Sequence, residues 1–231
     1  MSQNRFRAVL FDLDGTLLDS VPDLALAVDR MRVELGHAPA GEAQVRRWVG
    51  EGARRLVMKA LADALRTDPE SVPEPQLEQA LTSFFHHYER CCAAQSQLYD
   101  GAASFLSLLQ RQGLRLGLVT NKPARFMAPL LDQFGLAALL PVAIGGDSLV
   151  ERKPHPLPLL TACEQLAVSP AETLMVGDSR SDVLAARAAS MAVVCLAHGY
   201  NHGRPVACEQ PDRVFAGFAE LVAWWATGAA L

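Results

Sequence analysis

Short apolar runs recur along this chain at spacings that leave room for one helix between them. Leu114-Arg115-Leu116-Gly117-Leu118-Val119, Val142-Ala143-Ile144, Thr173-Leu174-Met175-Val176 and Ala192-Val193-Val194-Cys195-Leu196 predict strands. Helical patterns fall between them, near residues 101–112, 123–134, 156–167 and 180–189. Such alternation predicts an α/β fold, a Rossmann-like parallel sheet core with helices on both faces. The run Ala8-Val9-Leu10 joins the set as a fully buried strand over 7–12. Residues 20–94 break the alternation and read helical almost throughout, with Pro22, Pro39, Pro69, Pro73 and Pro75 at the joints. Ser20-Val21-Pro22-Asp23 predicts a helix start, with Ser20 capping and a carboxylate three residues on. The expected organisation is a core of residues 1–19 and 95–231, with an all-helical insertion over 20–94 after the first strand.

Composition narrows the function. Half of the residues are hydrophobic, enough for a substantial core. A formal net charge of -4 argues against a nucleic-acid surface or an anionic membrane partner. An anionic substrate therefore has to be held by local cations. No run approaches the length of a membrane span, and the first residues lack the apolar core of a signal peptide. The five cysteines are odd in number and include no CxxC pair, which fits reduced thiols better than zinc or a disulfide scaffold. These features predict a cytoplasmic protein, a monomer or small homo-oligomer, with no nucleic-acid or membrane partner.

The chemistry gathers where apolar strands end. Phe11-Asp12-Leu13-Asp14-Gly15-Thr16-Leu17 places two carboxylates at the end of a buried strand, with a glycine to turn the backbone after them. Buried carboxylates need a cationic partner, which makes a metal site the first expectation. Val119 leads into Thr120-Asn121-Lys122-Pro123, and Val176 leads into Gly177-Asp178-Ser179-Arg180-Ser181-Asp182. Lys153 lies on a loop after the strand near 142–144. In an open parallel sheet ligands bind at the carboxyl ends of the strands, so these groups are expected to converge. Hydroxyl, amide, ammonium and carboxylate together suit a phosphoryl group beside a divalent cation. An aspartate about 4 Å from a phosphate meets roughly 4 kcal/mol of repulsion per unit charge at an effective dielectric of 20. A hard cation such as Mg2+ offsets that repulsion, Lys153 adds positive charge, and Thr120 can hold an equatorial oxygen. Plainer readings exist. Ser179-Arg180-Ser181-Asp182 is also a capping box, Thr120 or Asn121 can cap the helix that Pro123 begins, and His155 reads as a loop residue.

Taken in order, Asp12-Leu13-Asp14-Gly15-Thr16, Thr120, Lys153, and Gly177-Asp178 with Asp182 resemble the four motifs of the haloacid dehalogenase-like superfamily. The resemblance runs from the first strand to about residue 205. It implies Asp12 as a nucleophile that forms an aspartyl-phosphate and Asp14 as general acid/base. It also implies Mg2+ held by the Asp12 carboxylate, the Asp14 carbonyl and the Asp178 carboxylate, with Asp182 behind them. Thr120, Asn121 and Lys153 would bind a small phosphorylated substrate, under a mobile cap formed by the insertion. Within the superfamily the chain is most similar to the bacterial phosphoglycolate phosphatases. Leu118–Pro123, Ile144-Gly145-Gly146-Asp147, Lys153-Pro154-His155-Pro156, Val49-Gly50-Glu51-Gly52 and His198-Gly199-Tyr200-Asn201 carry that likeness. The chain departs from the pattern at Leu157, where Asp is usual, and at Ser190 and Ala192, where Gly and Pro are usual. Hydrolysis of 2-phosphoglycolate is the expected reaction. Hydrolysis of a phosphosugar such as N-acetylmuramic acid 6-phosphate, or phosphoryl transfer of the β-phosphoglucomutase kind, is the alternative. One of Arg47, Arg54 or Arg55 in the insertion is expected to meet the substrate carboxylate.

Overall fold

The computed structural model describes residues 6–228. Its first elements are β1 (Ala8–Phe11), β2 (Leu18–Asp19), α1 (Val21–Glu34), α2 (Glu42–Val45), α3 (Ala53–Leu65), α4 (Glu74–Cys91) and β3 (Gln97–Leu98). Then follow α5 (Ala102–Arg111), β4 (Arg115–Val119), α6 (Met127–Gln133), β5 (Val142–Ile144), α7 (Leu157–Gln165) and β6 (Thr173–Gly177). The last are α8 (Arg180–Ala188), β7 (Ala192–Leu196), β8 (Arg213–Phe215) and α9 (Phe218–Thr227).

Six strands form one parallel sheet in the order β5-β4-β1-β6-β7-β8. Strand side chains alternate between faces, and both faces here are apolar because helices cover both. Val9, Phe11, Leu118 and Val176 join α5 and α9 on one side, and Ala8, Leu10, Met175 and Val193 join α7 and α8 on the other. Strand β8, the small β2–β3 pair and α9 add to the elements expected from the sequence. Ser190 takes φ +54°, so the backbone keeps the left-handed turn for which the phosphoglycolate phosphatase pattern supplies glycine.

Helices α1 to α4 occupy the chain between β2 and β3 and pack around an apolar cluster that includes Val28, Met31, Leu77, Phe84 and Tyr88, joined by Phe126 and Tyr200 of the core. The chain leaves and re-enters the sheet region through β2 and β3, which pair antiparallel with Leu18 opposite Leu98. The expected capping at Ser20 does not form, because both polar groups have tertiary partners. Ser20 Oγ donates to Asp14 Oδ1 (2.6 Å), and the buried Asp23 carboxylate accepts from the Gln95 and Ser96 backbone N–H groups (2.8 and 2.9 Å) and from Ser96 Oγ (2.5 Å). Asp23 thereby fastens the start of α1 to the returning chain. Among the described residues no helix is long and apolar enough to cross a membrane, and the five cysteines are free thiols.

Candidate active site

Sheet order explains the convergence. Strand β1 lies between β4 and β6, with Phe11 opposite both Leu118 and Val176, so Asp12, Thr120 and Asp178 emerge on neighbouring strands at one edge. Strand β5 is next in line and leads into the loop that carries Lys153. A cavity of about 40 Å3 opens there, with Asp12, Asp14, Thr120, Asn121 and Lys122 on the sheet side. Helices α1, α3 and α4 supply the opposite wall through apolar side chains such as Leu24, Leu56 and Phe84.

Lys153 is the pivot beneath this floor. Its buried ammonium lies 2.9 Å from Asp12 Oδ1 and donates to Asp182 Oδ1 (2.7 Å) and to the Val119 carbonyl (2.7 Å). Burial works against its charge, but Asp12 and Asp182 outweigh that and hold Lys153 above the ordinary lysine range. Asp182 forms the capping box that its sequence context suggested and also pairs with Lys153. Its Oδ2 closes a capping box at the start of α8 by accepting from the Ser179 N–H (3.1 Å) and hydroxyl (2.7 Å), and its Oδ1 takes Lys153. With its charge matched by the Lys153 ammonium, Asp182 serves as a support beside Asp12 and Asp178.

Asp12 and Asp178 have the environment of carboxylates that need a cation. Burial pushes Asp12 up to about 6, with Lys153 opposing the rise and Asp182 adding to it. Burial, and then the charges of Asp182 and Asp12, hold Asp178 well above the usual carboxylate range. Asp12 Oδ1, though close to Lys153, receives no aligned hydrogen bond. One oxygen from each of Asp12, Asp178 and Asp182 lies within 4.8 Å of the others. A set of hard oxygen donors, crowded and partly unpaired, fits a divalent cation. Asp178 is held by the Thr16 hydroxyl (2.6 Å) and the Tyr200 N–H (2.6 Å). Gly15 makes room for it: at φ +90°, a Cβ on that residue would overlap the Asp178 carboxylate.

The remaining site residues divide. Thr120 Oγ1 accepts from the Lys122 N–H (3.3 Å), which leaves its own O–H free to donate. Asn121 reaches the cavity, but its amide N–H groups go to the carbonyls of Gly50 (3.1 Å) and Lys153 (2.9 Å), bracing the insertion against the core. His155 accepts from the Leu157 N–H (3.1 Å) at the start of α7, as a loop residue. Lys122 is a further site residue, one without a motif of its own in the sequence. Its ammonium donates to both Asp14 oxygens (2.9 and 3.1 Å) and is buried under α4. A lysine one residue before a helix-starting proline gives no sequence signal of burial.

Arg47, Arg54 and Arg55 do not reach the cavity, contrary to expectation. Arg54 bonds Glu74 and Glu78 of α4, and Arg55 bonds Glu70. Arg47 lies beside Gly203. Local carboxylates thus satisfy the guanidinium groups of Arg54 and Arg55 along the outer faces of the insertion.

The sheet order, the aspartate pair after β1 and the helical insertion define a class. The model of the haloacid dehalogenase-like hydrolase family matches residues 6–190, and the chain belongs to that family. Its relatives include the phosphoglycolate phosphatase of Pseudomonas fluorescens (strain Pf-5), which is 48% identical over 94% of this chain and 78% of the relative. The phosphoglycolate phosphatase of Nitrosococcus oceani is 45% identical over 92% of this chain and 93% of its own. The crystal structure of a predicted phosphoglycolate phosphatase from Haemophilus somnus 129pt superposes with a TM-score of 0.89. It is 36% identical and is matched over 96% of this chain and 98% of that one.

Proposed function

We propose that this chain is a Mg2+-dependent phosphoric monoester hydrolase that cleaves 2-phosphoglycolate to glycolate and phosphate. The observation that carries the reading is the convergence of Asp12 and Asp14 on one small cavity, with Asp12 held between Lys153 and Asp178. Relatives that bear the name phosphoglycolate phosphatase, 45–49% identical over most of the chain, support the substrate.

In this reading the Asp12 and Asp178 carboxylates and the Asp14 carbonyl hold Mg2+. The ion supplies charge neutralisation for the approach of one anion to another and polarises the phosphoryl oxygens. Asp12 attacks phosphorus through a carboxylate oxygen as the bond from phosphorus to the glycolate oxygen breaks, which leaves an aspartyl-phosphate. Asp14 gives a proton to the departing oxygen. Water then attacks the Asp12 phosphate, Asp14 takes its proton, and phosphate leaves with Asp12 restored. Thr120 donates its free O–H to an equatorial oxygen. Lys153 fixes the orientation of Asp12 and keeps it anionic, and Asn121 acts as a brace between insertion and core.

The reading takes residues 20–94 as a cap and residues 1–19 and 95–231 as the core, in a cytoplasmic protein. The apolar cluster of the insertion, which only Phe126 and Tyr200 of the core join among the described buried residues, and the narrow β2–β3 crossing support a cap that swings as a unit. A phosphate-release panel of small phosphorylated acids and sugars, with and without Mg2+, tests the proposal. Metal-dependent turnover with 2-phosphoglycolate preferred is expected. Metal-independent turnover would overturn the mechanism, and preference for a sugar phosphate would overturn the substrate.

A further inference from the structure

Among the described residues that line the cavity, Lys122 is the one cation. Its side chain is 2% exposed, and its ammonium lies 5.0 Å from the centre of the Tyr88 ring. An ammonium has three donors, and Asp14 takes two of them. Tyr88 enters the same cavity from α4, is 2% exposed, and its hydroxyl has no hydrogen-bond partner. The Cys92 thiol stands close to that hydroxyl without forming an aligned bond. Buried hydroxyls almost always have partners, so this one is short of an acceptor.

The rest of the wall limits what that acceptor can belong to. Leu24, Val49, Leu56, Phe84 and Phe85 offer no hydrogen bonds to the several hydroxyls of a sugar, each of which loses water on entry. The cavity is small, about 40 Å3, which suits a short molecule better than a sugar phosphate.

We infer that the Lys122 ammonium and the Tyr88 hydroxyl together receive the carboxylate at the far end of a short phosphorylated acid, one donor from the core and one from the insertion. The inference rests on the substrate reading above and adds the residues that select for it. A charge-assisted bond from Lys122 discriminates for an anion over a neutral group. Because the carboxylate bridges both sides of the seam, its binding also holds the insertion against the core.

The test compares 2-phosphoglycolate with 2-hydroxyethyl phosphate, which has the same length and a neutral hydroxyl in place of the carboxylate. Both are hydrolysed with Mg2+ by the wild-type chain, Lys122→Met and Tyr88→Phe. The wild type should prefer the acid by roughly tenfold or more in kcat/KM, from the worth of a charged hydrogen bond. Lys122→Met should lose most of that preference. Tyr88→Phe, which keeps the ring, should raise KM severalfold for the acid and by less for the alcohol, so that the preference narrows. Equal losses on both substrates in Lys122→Met would make that lysine a support of Asp14 alone and overturn the inference, while the substrate reading stands. Should Lys122→Met fail to fold, an unchanged preference in Tyr88→Phe overturns it instead. A wild type without preference for the acid removes the substrate reading and the inference together.

Discussion

Lys153 holds Asp12 from beneath, its ammonium 2.9 Å from Asp12 Oδ1 and shared with Asp182 at 2.7 Å. The arrangement gives a buried carboxylate a cationic partner on one side and leaves its other side to the cavity. Removing one partner of such a buried set costs about 3–5 kcal/mol, because the remaining charges lose compensation. Lys153→Met should therefore lower Tm by several degrees and reduce kcat by about a hundredfold or more. A thermal melt and phosphate-release kinetics check both effects, and an unchanged kcat would detach Lys153 from the nucleophile.

Asp12 should make the metal-free protein pH-sensitive. Its carboxyl is raised from about 3.8 to about 6, chiefly by burial, so the folded chain keeps a proton that the unfolded chain releases in that interval. The associated stability is complete below the lower value and is lost as pH rises through about 6. Its size is of the order of 2–3 kcal/mol for a shift of this extent. In the absence of divalent cations, Asp12→Asn should gain in Tm over the wild type as pH goes from 5 to 8. A difference in Tm that stays constant over that range would contradict the environment described for Asp12.

Gly15 is constrained twice, by φ +90° and by the Asp178 carboxylate that fills the place of a side chain. Gly15→Ala should displace Asp178, cost at least about 1–3 kcal/mol in strain, and weaken Mg2+ binding. Titration calorimetry with Mg2+ and a thermal melt give the two readings. A variant with wild-type metal affinity would show that Asp178 does not need this space.

The fastening at Asp23 should matter for stability. Asp23→Asn turns one acceptor into a donor that faces the Gln95 and Ser96 donors, so roughly 2–4 kcal/mol should be lost. Chemical denaturation measures the loss, and a variant as stable as the wild type would mean that the crossing is held elsewhere.

What could be read from the sequence had local signatures. Strands β1, β4, β6 and β7 stood out because they are buried on both faces, so their apolar runs are nearly continuous, and the edge strand β5 stood out by its apolar Val142-Ala143-Ile144 run. Asp12, Thr120, Lys153 and Asp178 could be placed because each follows such a strand on its carboxyl side. Strands β2 and β3, two residues each, are too short to show a period. Only one of the three residues of β8 is buried. Helix α9 did carry a signal, Phe218, Leu221 and Trp225 at helical spacing after Gly217. The partners of Lys122 and Arg54 lie in segments distant in sequence, so their pairing is settled by tertiary packing. At Ser20 the local capping pattern yields to Asp14, six residues away, because the turn after β1 brings that carboxylate to the hydroxyl.

The central claim is that Asp12 carries the phosphoryl group. Phosphate release from 2-phosphoglycolate by Asp12→Asn at saturating Mg2+, beside the wild type and with the fold checked by circular dichroism, tests it most directly. The account predicts a folded protein whose turnover falls by about a thousandfold or more, because the amide is not a nucleophile. A folded Asp12→Asn variant that still turns over near the wild-type rate would contradict it.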